Sequence, residues 1–413
     1  MALLRYGKRA TVELECGAGP PFECGSPAGP PLADAPGAVA EALNDPLDYP
    51  PLAKATTPGD RVVVALEPGL PHAAEVVAAV VQTLVAAPVD PDGISILVSR
   101  AEATNGADDP RRLIPQPVRR RIGLATHDPG DRRQLAYLAA AESGEPILLG
   151  RALHEADLVL PVGCVQDESA SGYFGIHGLL YPGFADERTL RRFRAPRPRG
   201  EQGGRGSGSA RRRALAEEAD HVAWLLGINF TIQLVPAAGD GLLEVLAGQS
   251  DAVARRARER YHAAWDRSVP EPTSLVVAAI PGGRRQQTWE NVGRALEAAL
   301  PAVEDGGAIA VCSELAEEPG PAVKGIGTPG SRREALKRIN KDRPPDALPA
   351  AQLARALDRA QVYLLSLLEP DVVEDLDMIY VAAPEELVRL ARRHPTCTLL
   401  ADAPRAVVRC GHP

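Results

Sequence analysis

Residues 61–98 have the sequence RVVVALEPGLPHAAEVVAAVVQTLVAAPVDPDGISILV. The apolar run at 61–66 is short and uninterrupted, which is typical of a strand buried on both faces of a parallel sheet. A helical segment follows at 73–87, then a turn at Asp92-Gly93 and a second apolar run at 94–98. This strand–helix–strand order predicts helices that cover a mostly parallel sheet.

The same alternation continues along the chain on both sides of a predicted hinge at Pro270-Glu271-Pro272. The sequence therefore predicts an α/β protein with two domains of mostly parallel sheets flanked by helices, residues 1–268 and 273–413. Segment 319–349 is polar and predicted to be rich in loops. The other predicted elements are strands at 11–15, 158–162, 230–235, 275–280, 308–312, 362–366 and 398–401, and helices at 251–265, from 288, and at 350–359 and 384–393.

Composition narrows the class of protein and its partners. The net charge of −8 argues against general binding to nucleic acid or anionic membranes, since both require excess positive charge. No apolar run reaches the roughly 18 residues that span a bilayer. The six cysteines show no C-x-x-C spacing, so we expect a cytoplasmic protein with reduced thiols. A small-molecule carboxylate stays possible as a ligand, and the oligomeric state stays open.

Residues 188–213 contain ten arginines among Gly, Ser and Pro residues. Such a segment can bind nucleic acid or another partner, or it can be a mobile, solvated loop. The loop interpretation is favoured because the rest of the chain is acidic and only Phe193 interrupts the run with an aromatic ring.

Three segments follow predicted strands, where ligands of α/β sheets collect: residues 67–71, 99–106 and 163–185. The third is dense in glycine, which lets a backbone approach a ligand closely or simply make turns. His177 in this segment could bind a metal, although a hydrogen-bonded loop histidine is more common. Asp167 and Glu168 could share a proton or bind a hard cation, or be solvated.

In the second domain, Gln287 follows Gly282-Gly283 at the start of a predicted helix, a position that suits an anionic group. Cys164 ends a predicted strand, but no histidine partner is evident for a nucleophile, so a small buried apolar role is favoured.

Six short motifs occur in order along the chain: Tyr6-Gly7-Lys8, Asn44-Asp45-Pro46, Pro58-Gly59-Asp60, His127-Asp128-Pro129, Pro182-Gly183, and Gly282-Gly283 with Gln287. Together with the order of the predicted elements, they resemble the nickel-pincer nucleotide-dependent lactate racemase family. The resemblance implies two α/β domains with an active site between them. It also implies that a nickel ion in that site, bound in a covalently tethered nucleotide-derived pincer, takes a hydride from Cα of a 2-hydroxy acid and returns it.

Several functional positions of that family are changed in this chain. The tethering lysine falls on Gly178, and the nickel-binding histidine falls near Arg194. The acid/base histidines fall on Glu168 and Ala103, and a substrate-binding arginine falls on Leu70. Glycine cannot form the link, arginine stays protonated, and alanine cannot transfer a proton. The family's mechanism is therefore not expected here, the cofactor is left open, and no metal site is predicted.

Other positions of the family pattern survive. Glu67 stands where the family has an aspartate, Gln287 matches a glutamine, and Arg294 stands where a lysine is expected. The predicted catalytic residues are Glu168 and Glu67. The residues predicted to bind substrate or cofactor are Gly172, Gly175, His177, Gln287 and Arg294.

Two functions fit this pattern, a divergent isomerase acting on a small 2-hydroxy acid and a catalytically silent binding or regulatory protein. The isomerase predicts a concave, polar cleft in which Glu67, Glu168 and Gln287 converge. The silent relative predicts a cleft filled or lined by apolar residues such as Leu70, Ile176 and Leu179.

Overall fold

The computed structural model describes residues 2–25, 27, 29–100, 103, 108–141, 144–168, 170–194, 207–327 and 332–411. Its strands are β1 (Ala2–Tyr6), β2 (Ala10–Leu14), β3 (Phe22–Cys24), β4 (Val62–Leu66), β5 (Ile94–Ser99), β6 (Gly123–His127), β7 (Leu135–Ala140), β8 (Pro146–Gly150), β9 (Leu158–Cys164), β10 (Phe230–Pro236), β11 (Leu242–Gln249), β12 (Asp266–Val269), β13 (Thr273–Ala279), β14 (Val303–Cys312), β15 (Gln361–Leu365), β16 (Ile379–Val381), β17 (Cys397–Leu400) and β18 (Val407–Cys410).

The helices alternate with these strands along the chain. They are α1 (Ala35–Asn44), α2 (Ala73–Ala86), α3 (Gln116–Arg119), α4 (Arg151–His154), α5 (Glu187–Phe193), α6 (Ser207–Leu225), α7 (Ser250–Trp265), α8 (Trp289–Ala299), α9 (Pro321–Gly327), α10 (Arg332–Asp342), α11 (Ala347–Arg359), α12 (Pro370–Glu374) and α13 (Pro384–Arg393). Within the described parts of the chain, none of them is long and apolar enough to cross a membrane.

The first sheet has the strand order β11-β10-β9-β4-β5-β6 and is parallel except for β11. Every residue of β4 is buried. Val62, Val64 and Leu66 pack with α1 and α2 on one face. Val63 and Ala65 pack on the other face with residues of α6 and of the segment before α5. Burial on both faces explains the continuous apolar run from which this strand was predicted.

The second sheet has the order β16-β15-β14-β13-β17-β3 and is parallel throughout. Helices α8 and α11 pack on one face. The hairpin β1–β2 and α13 cover the other face, with Leu4 and Leu14 in the same apolar cluster as Leu387. The predicted α/β class with mostly parallel, helix-flanked sheets is therefore confirmed. Strands β1 and β2, however, pack against the second sheet and β3 is its edge strand, although the predicted first domain, residues 1–268, included all three.

One prediction about an irregular segment is wrong, and a second differs from the structure at the ends of the segment. Segment 319–349, expected to be loop-rich, contains α9 and α10. Asp346 accepts hydrogen bonds from Ala322 N (2.8 Å) and Val323 N (3.0 Å), which satisfies the free amides at the start of α9. Ala335 and Ile339, one turn apart, bury one face of α10.

The arginine-rich segment 188–213 was predicted to be a mobile loop. Instead, α5 and α6 occupy its two ends, and residues 195–206 lie outside the described residues. Arg192 of α5 pairs with Glu218 of α6 and donates to the Tyr181 hydroxyl. Arg192, which the sequence suggested to be solvated, thus has a specific partner on a neighbouring helix.

Candidate functional site

A cleft of about 1620 Å³ opens between the two sheets, at the carboxyl ends of β4, β9, β13 and β14. Its walls include residues of segments 67–75 and 164–184 from the first sheet, and of 283–294 and 314–317 from the second. Such crevices beyond the carboxyl ends of parallel strands are where α/β proteins bind ligands.

Glu67 lies at the floor of this cleft, directly after β4. Its carboxylate accepts hydrogen bonds from the backbone N–H of Cys164 (2.5 Å) and from Gln166 Nε2 (3.3 Å). Burial raises the pKa of Glu67, while the Cys164 amide and the charge of Arg294 oppose that shift. Glu67 therefore lines the cleft with a buried carboxyl group whose pKa is raised.

The groups beside Glu67 are held in their neutral forms. Burial raises the pKa of the Cys164 thiol, and the charge of Glu67 raises it further. The same two causes raise the pKa of the Tyr173 hydroxyl, which accepts from Gln233 Nε2 at 3.4 Å. A nucleophilic cysteine needs a lowered pKa, so the raised pKa of Cys164 favours the apolar role predicted for this residue.

Two arginines from the second domain reach this floor. Arg405 pairs with Asp402 (3.2 Å) and donates to the carbonyl of Ala237, so its guanidinium is committed within the protein. Arg294 of α8 donates to Asn291 Oδ1 on its own helix (3.3 Å) and, among the described residues, forms no ion pair. Its charge lowers the pKa of Glu67, so Arg294 contributes positive potential at the floor, as Arg405 does at the neighbouring Cys164.

Gln287, predicted as a ligand contact, is buried and fully engaged. Its amide nitrogen donates to the carbonyls of Ile280 (3.1 Å) and Gly282 (2.9 Å). Its amide oxygen accepts from the Ser313 hydroxyl (2.7 Å) and from Glu314 N (2.9 Å). Gln287 therefore ties together the two loops that form the second-domain wall, and its polar atoms are occupied by the protein.

Two other predicted residues point away from the cleft. Glu168 is exposed and pairs with Arg258 of α7 at 2.5 Å. His177 Nδ1 lies 2.8 Å from Asp220 Oδ1 of α6, and its Nε2 is buried without a partner. Neither residue lines the cleft, so the structure does not bring Glu168 together with Glu67.

The predicted glycines do line the cleft, with φ of 83° at Gly172 and 76° at Gly175. Positive φ favours glycine at both positions. A Cβ on Gly172 would also lie 3.0 Å from Leu348 Cδ1 of the second domain. The neighbouring Ser171 hydroxyl donates to Glu297 of α8 (3.0 Å), so this loop bridges the two domains.

The residues present do not fit the tethered nickel cofactor of the family. At Gly178 a Cβ would lie 2.9 Å from Phe174 Cβ, so the first atom of a longer side chain already meets a neighbour. Arg194 lines the cleft as a guanidinium, and Leu70 is a buried apolar residue. Among the residues that the structure describes, no group of three or more His, Cys, Asp or Glu side chains is placed to bind a metal ion.

Sequence analysis missed Arg405 and Tyr261, which also line the cleft. The Tyr261 hydroxyl donates to the Arg405 carbonyl at 2.7 Å and so joins α7 to the last loop of the second sheet. The rule that ligands gather after strand ends would have selected Arg405, because it follows β17, had it been applied to that strand.

Replacing Glu67 with Gln is expected to remove a pH-dependent loss of stability. The folded protein holds the proton of the Glu67 carboxyl group more tightly than the unfolded chain does. The free energy of unfolding of the parent therefore falls as pH rises from the ordinary pKa of glutamate, about 4.3, through the raised pKa of Glu67 in the folded state. Urea unfolding between pH 4 and 8 should show that the free energy of unfolding of the Glu67→Gln protein increases relative to that of the parent as pH rises. Glu75→Gln, a second cleft acid, is the control, and equal pH profiles for parent and Glu67→Gln would refute this explanation.

Comparison with known proteins agrees with this architecture. Residues 10–195 match a family model described as the lactate racemase N-terminal domain. A search of curated proteins gives no match. Among eight matching solved chains, the lactate racemase apoprotein from Thermoanaerobacterium thermosaccharolyticum aligns with a TM-score of 0.74 and 16% identity, over 98% of this chain and 99% of that one.

A crystal structure of a Thermotoga maritima protein, determined by a structural genomics consortium, aligns with a TM-score of 0.66 and 14% identity, over 92% of this chain and 99% of that one. At these identities the structural likeness shows the fold alone. Residues 10–195, a little under half of the chain, are similar to the lactate racemase N-terminal domain, and the chain as a whole shares the fold of the lactate racemase apoprotein.

Proposed function

We propose that this protein binds a small carboxylate of the 2-hydroxy acid class in the interdomain cleft, directly through Arg294 and without a tethered nickel cofactor. The observation that carries the proposal is the state of Arg294, which makes one hydrogen bond within its own helix, lines the same cleft as Glu67, and lowers the pKa of Glu67 through its charge. A guanidinium with unused N–H groups pairs with a carboxylate through two parallel hydrogen bonds.

The remaining lining supports a ligand with an apolar portion. Leu70, Ile176 and Leu179 line the same cleft, beside the ring of Tyr173. The volume of about 1620 Å³ exceeds what a three-carbon acid occupies, so acids with longer side chains also fit. The lining thus combines the polar wall expected for an active relative with the apolar residues expected for a silent one.

Isothermal titration of the full chain with L-lactate, D-lactate and longer 2-hydroxy acids tests this proposal, with lactamide as the matched neutral analogue. We expect at least one acid to bind and lactamide to bind at least tenfold more weakly, because the amide lacks the charge that pairs with Arg294. Binding of lactamide as tight as that of the acid, or no binding of any acid, would contradict the proposal.

A second candidate function is isomerisation of the bound acid, and the environment of Glu67 favours it. Because burial raises the pKa of Glu67, its carboxylate holds a proton more tightly than an ordinary glutamate does, and this suits it to accept and return a proton. In this step the Glu67 carboxylate takes the proton from Cα of the bound acid, and the electron pair of the broken C–H bond moves into the carboxylate group of the acid, which becomes an enediolate. The protonated Glu67 then returns the proton to Cα as the electron pair moves back.

Exchange of the Cα proton for deuterium in D₂O, followed by NMR, tests the second candidate. We expect exchange with the parent protein and at least a hundredfold slower exchange with Glu67→Gln, which keeps Arg294 and should keep binding. Binding without exchange would reject the isomerase and leave the binding or regulatory protein.

A further inference from the structure

Arg194 is a basic residue of the cleft that the binding of one carboxylate leaves without a role. It directly follows α5 and lines the cleft from the first domain, with a side chain that is 26% exposed. Its Nη1 atom is buried without a hydrogen-bond partner. Among the described residues, only the Glu187 carboxylate of the same helix approaches its guanidinium, at 4.0 Å. That distance is too long for a hydrogen bond.

Other basic residues of the cleft have either water or a protein partner. Lys8 and Arg284 are exposed, so water solvates their charges. Arg405 pairs with Asp402 at 3.2 Å. A largely buried donor without a partner is rare in folded proteins because it has lost its water and gained nothing in return. In a cleft, such a donor is available to a polar group of a ligand.

The position of Arg194 is fixed by the residues just before it. The ring of Phe193 packs edge-on against the rings of Phe174 and Tyr181, with centroids 4.9 and 5.5 Å apart. Arg192 pairs with Glu218 of α6. The end of α5 is therefore anchored by an apolar cluster and by an ion pair. A recognition group on an element held in this way loses less conformational entropy when a ligand binds.

We infer that Arg194 binds a second anionic group of the ligand, so that the cleft selects 2-hydroxy acids with a carboxylate or a phosphate at their far end. This inference rests on the proposed function, in which Arg294 binds the first carboxylate. Arg194 belongs to the first domain and Arg294 to the second, so such a ligand contacts both domains. A guanidinium pairs with a carboxylate or a phosphate through two parallel hydrogen bonds. The cleft volume of about 1620 Å³ accommodates the longer molecule.

The charges around Arg194 agree with this role. Burial lowers the pKa of Arg194, while the charges of Glu187, Glu290 and Asp346 oppose that shift, and arginine stays protonated at physiological pH. The described residues that line the cleft include equal numbers of acidic and basic side chains. The cleft as a whole therefore has no excess of positive charge, and the preference for a second anion depends on Arg194 itself.

Isothermal titration of the full chain with two matched pairs of acids tests the inference. The first pair is 2-hydroxyglutarate and its 5-amide, which has the same length but lacks the second charge. The second pair is 3-phosphoglycerate and glycerate. We expect the doubly anionic acid of at least one pair to bind roughly tenfold more tightly than its partner. The pair that shows this gain identifies the second group as a carboxylate or a phosphate.

Three variants assign the gain to one side chain. Arg194→Gln should reduce it to about twofold or less and leave the affinity for the singly charged acids unchanged, because Arg294 still binds their carboxylate. Arg194→Lys should keep part of the gain, since it keeps the charge without the planar fork. Arg191→Gln, an exposed position on α5 that does not line the cleft, should keep all of it.

The outcomes separate this inference from the proposed function. If singly charged acids bind and neither doubly anionic acid binds more tightly, or if the gain survives Arg194→Gln, the inference is wrong and the proposed function stands. If the doubly anionic acid loses affinity in Arg194→Gln but not in Arg294→Gln, the second anchor stands and the role proposed for Arg294 is wrong. A chain that binds none of these acids would refute both.

Discussion

Replacing Gln287 with Leu is expected to lower the free energy of unfolding by about 3–5 kcal/mol. The amide of Gln287 makes four hydrogen bonds in a buried setting, two as donor and two as acceptor. Leucine has a similar volume but leaves the carbonyls of Ile280 and Gly282 and the N–H of Glu314 without this partner. Each buried polar group that loses its partner costs about 1–3 kcal/mol.

Gln286→Leu is the matched control, because Gln286 is the preceding residue but is only partly buried. We expect a loss of about 1 kcal/mol or less for this variant. Chemical denaturation of both proteins gives the comparison. A Gln287→Leu protein as stable as the control would mean that the Gln287 amide is available to a ligand, as the sequence alone suggested.

Replacing Arg294 with Gln is expected to weaken binding of the best 2-hydroxy acid about 30- to 150-fold, which corresponds to about 2–3 kcal/mol. The substitution removes the charge that pairs with the carboxylate. It also removes the charge that opposes the raised pKa of Glu67, so Glu67 should take up its proton at a still higher pH. Titration calorimetry gives the affinities, and Arg294→Lys should be intermediate because it keeps the charge without the planar fork.

Arg284→Gln separates this local effect from the general potential of the cleft. Arg284 lines the cleft too but is exposed, and we expect a change of threefold or less. Equal losses for Arg284→Gln and Arg294→Gln would show that no single arginine recognises the carboxylate. Unchanged affinity in Arg294→Gln would place the ligand elsewhere.

The fold could be predicted where burial leaves a local pattern. The apolar run at 61–66 is a central strand covered on both faces, and helix 384–393 matches α13 residue for residue. Strand β3 left no such signal, since it has three residues and pairs with β17 near the other end of the chain. The helices in 319–349 were missed because their buried faces are narrow and most of their residues are polar.

The sequence predicted the location of the site along the chain better than the direction in which each side chain points. Glu67 was found because it directly follows a strand, and that placement fixes it at the cleft. Glu168 and Gln287 also lie near strand ends, but sequence order does not determine the direction of a side chain. Glu168 turns outward to Arg258, and Gln287 turns inward to four protein groups.

The most direct test of the central claim is native mass spectrometry with elemental analysis for nickel, on protein purified from cells that make the nickel-pincer cofactor. We predict the mass of the unmodified chain and no stoichiometric nickel, because Gly178 offers no amine and Arg194 offers no lone pair. Stoichiometric nickel together with an added mass of nucleotide size would contradict the account, and would show that another residue tethers the cofactor.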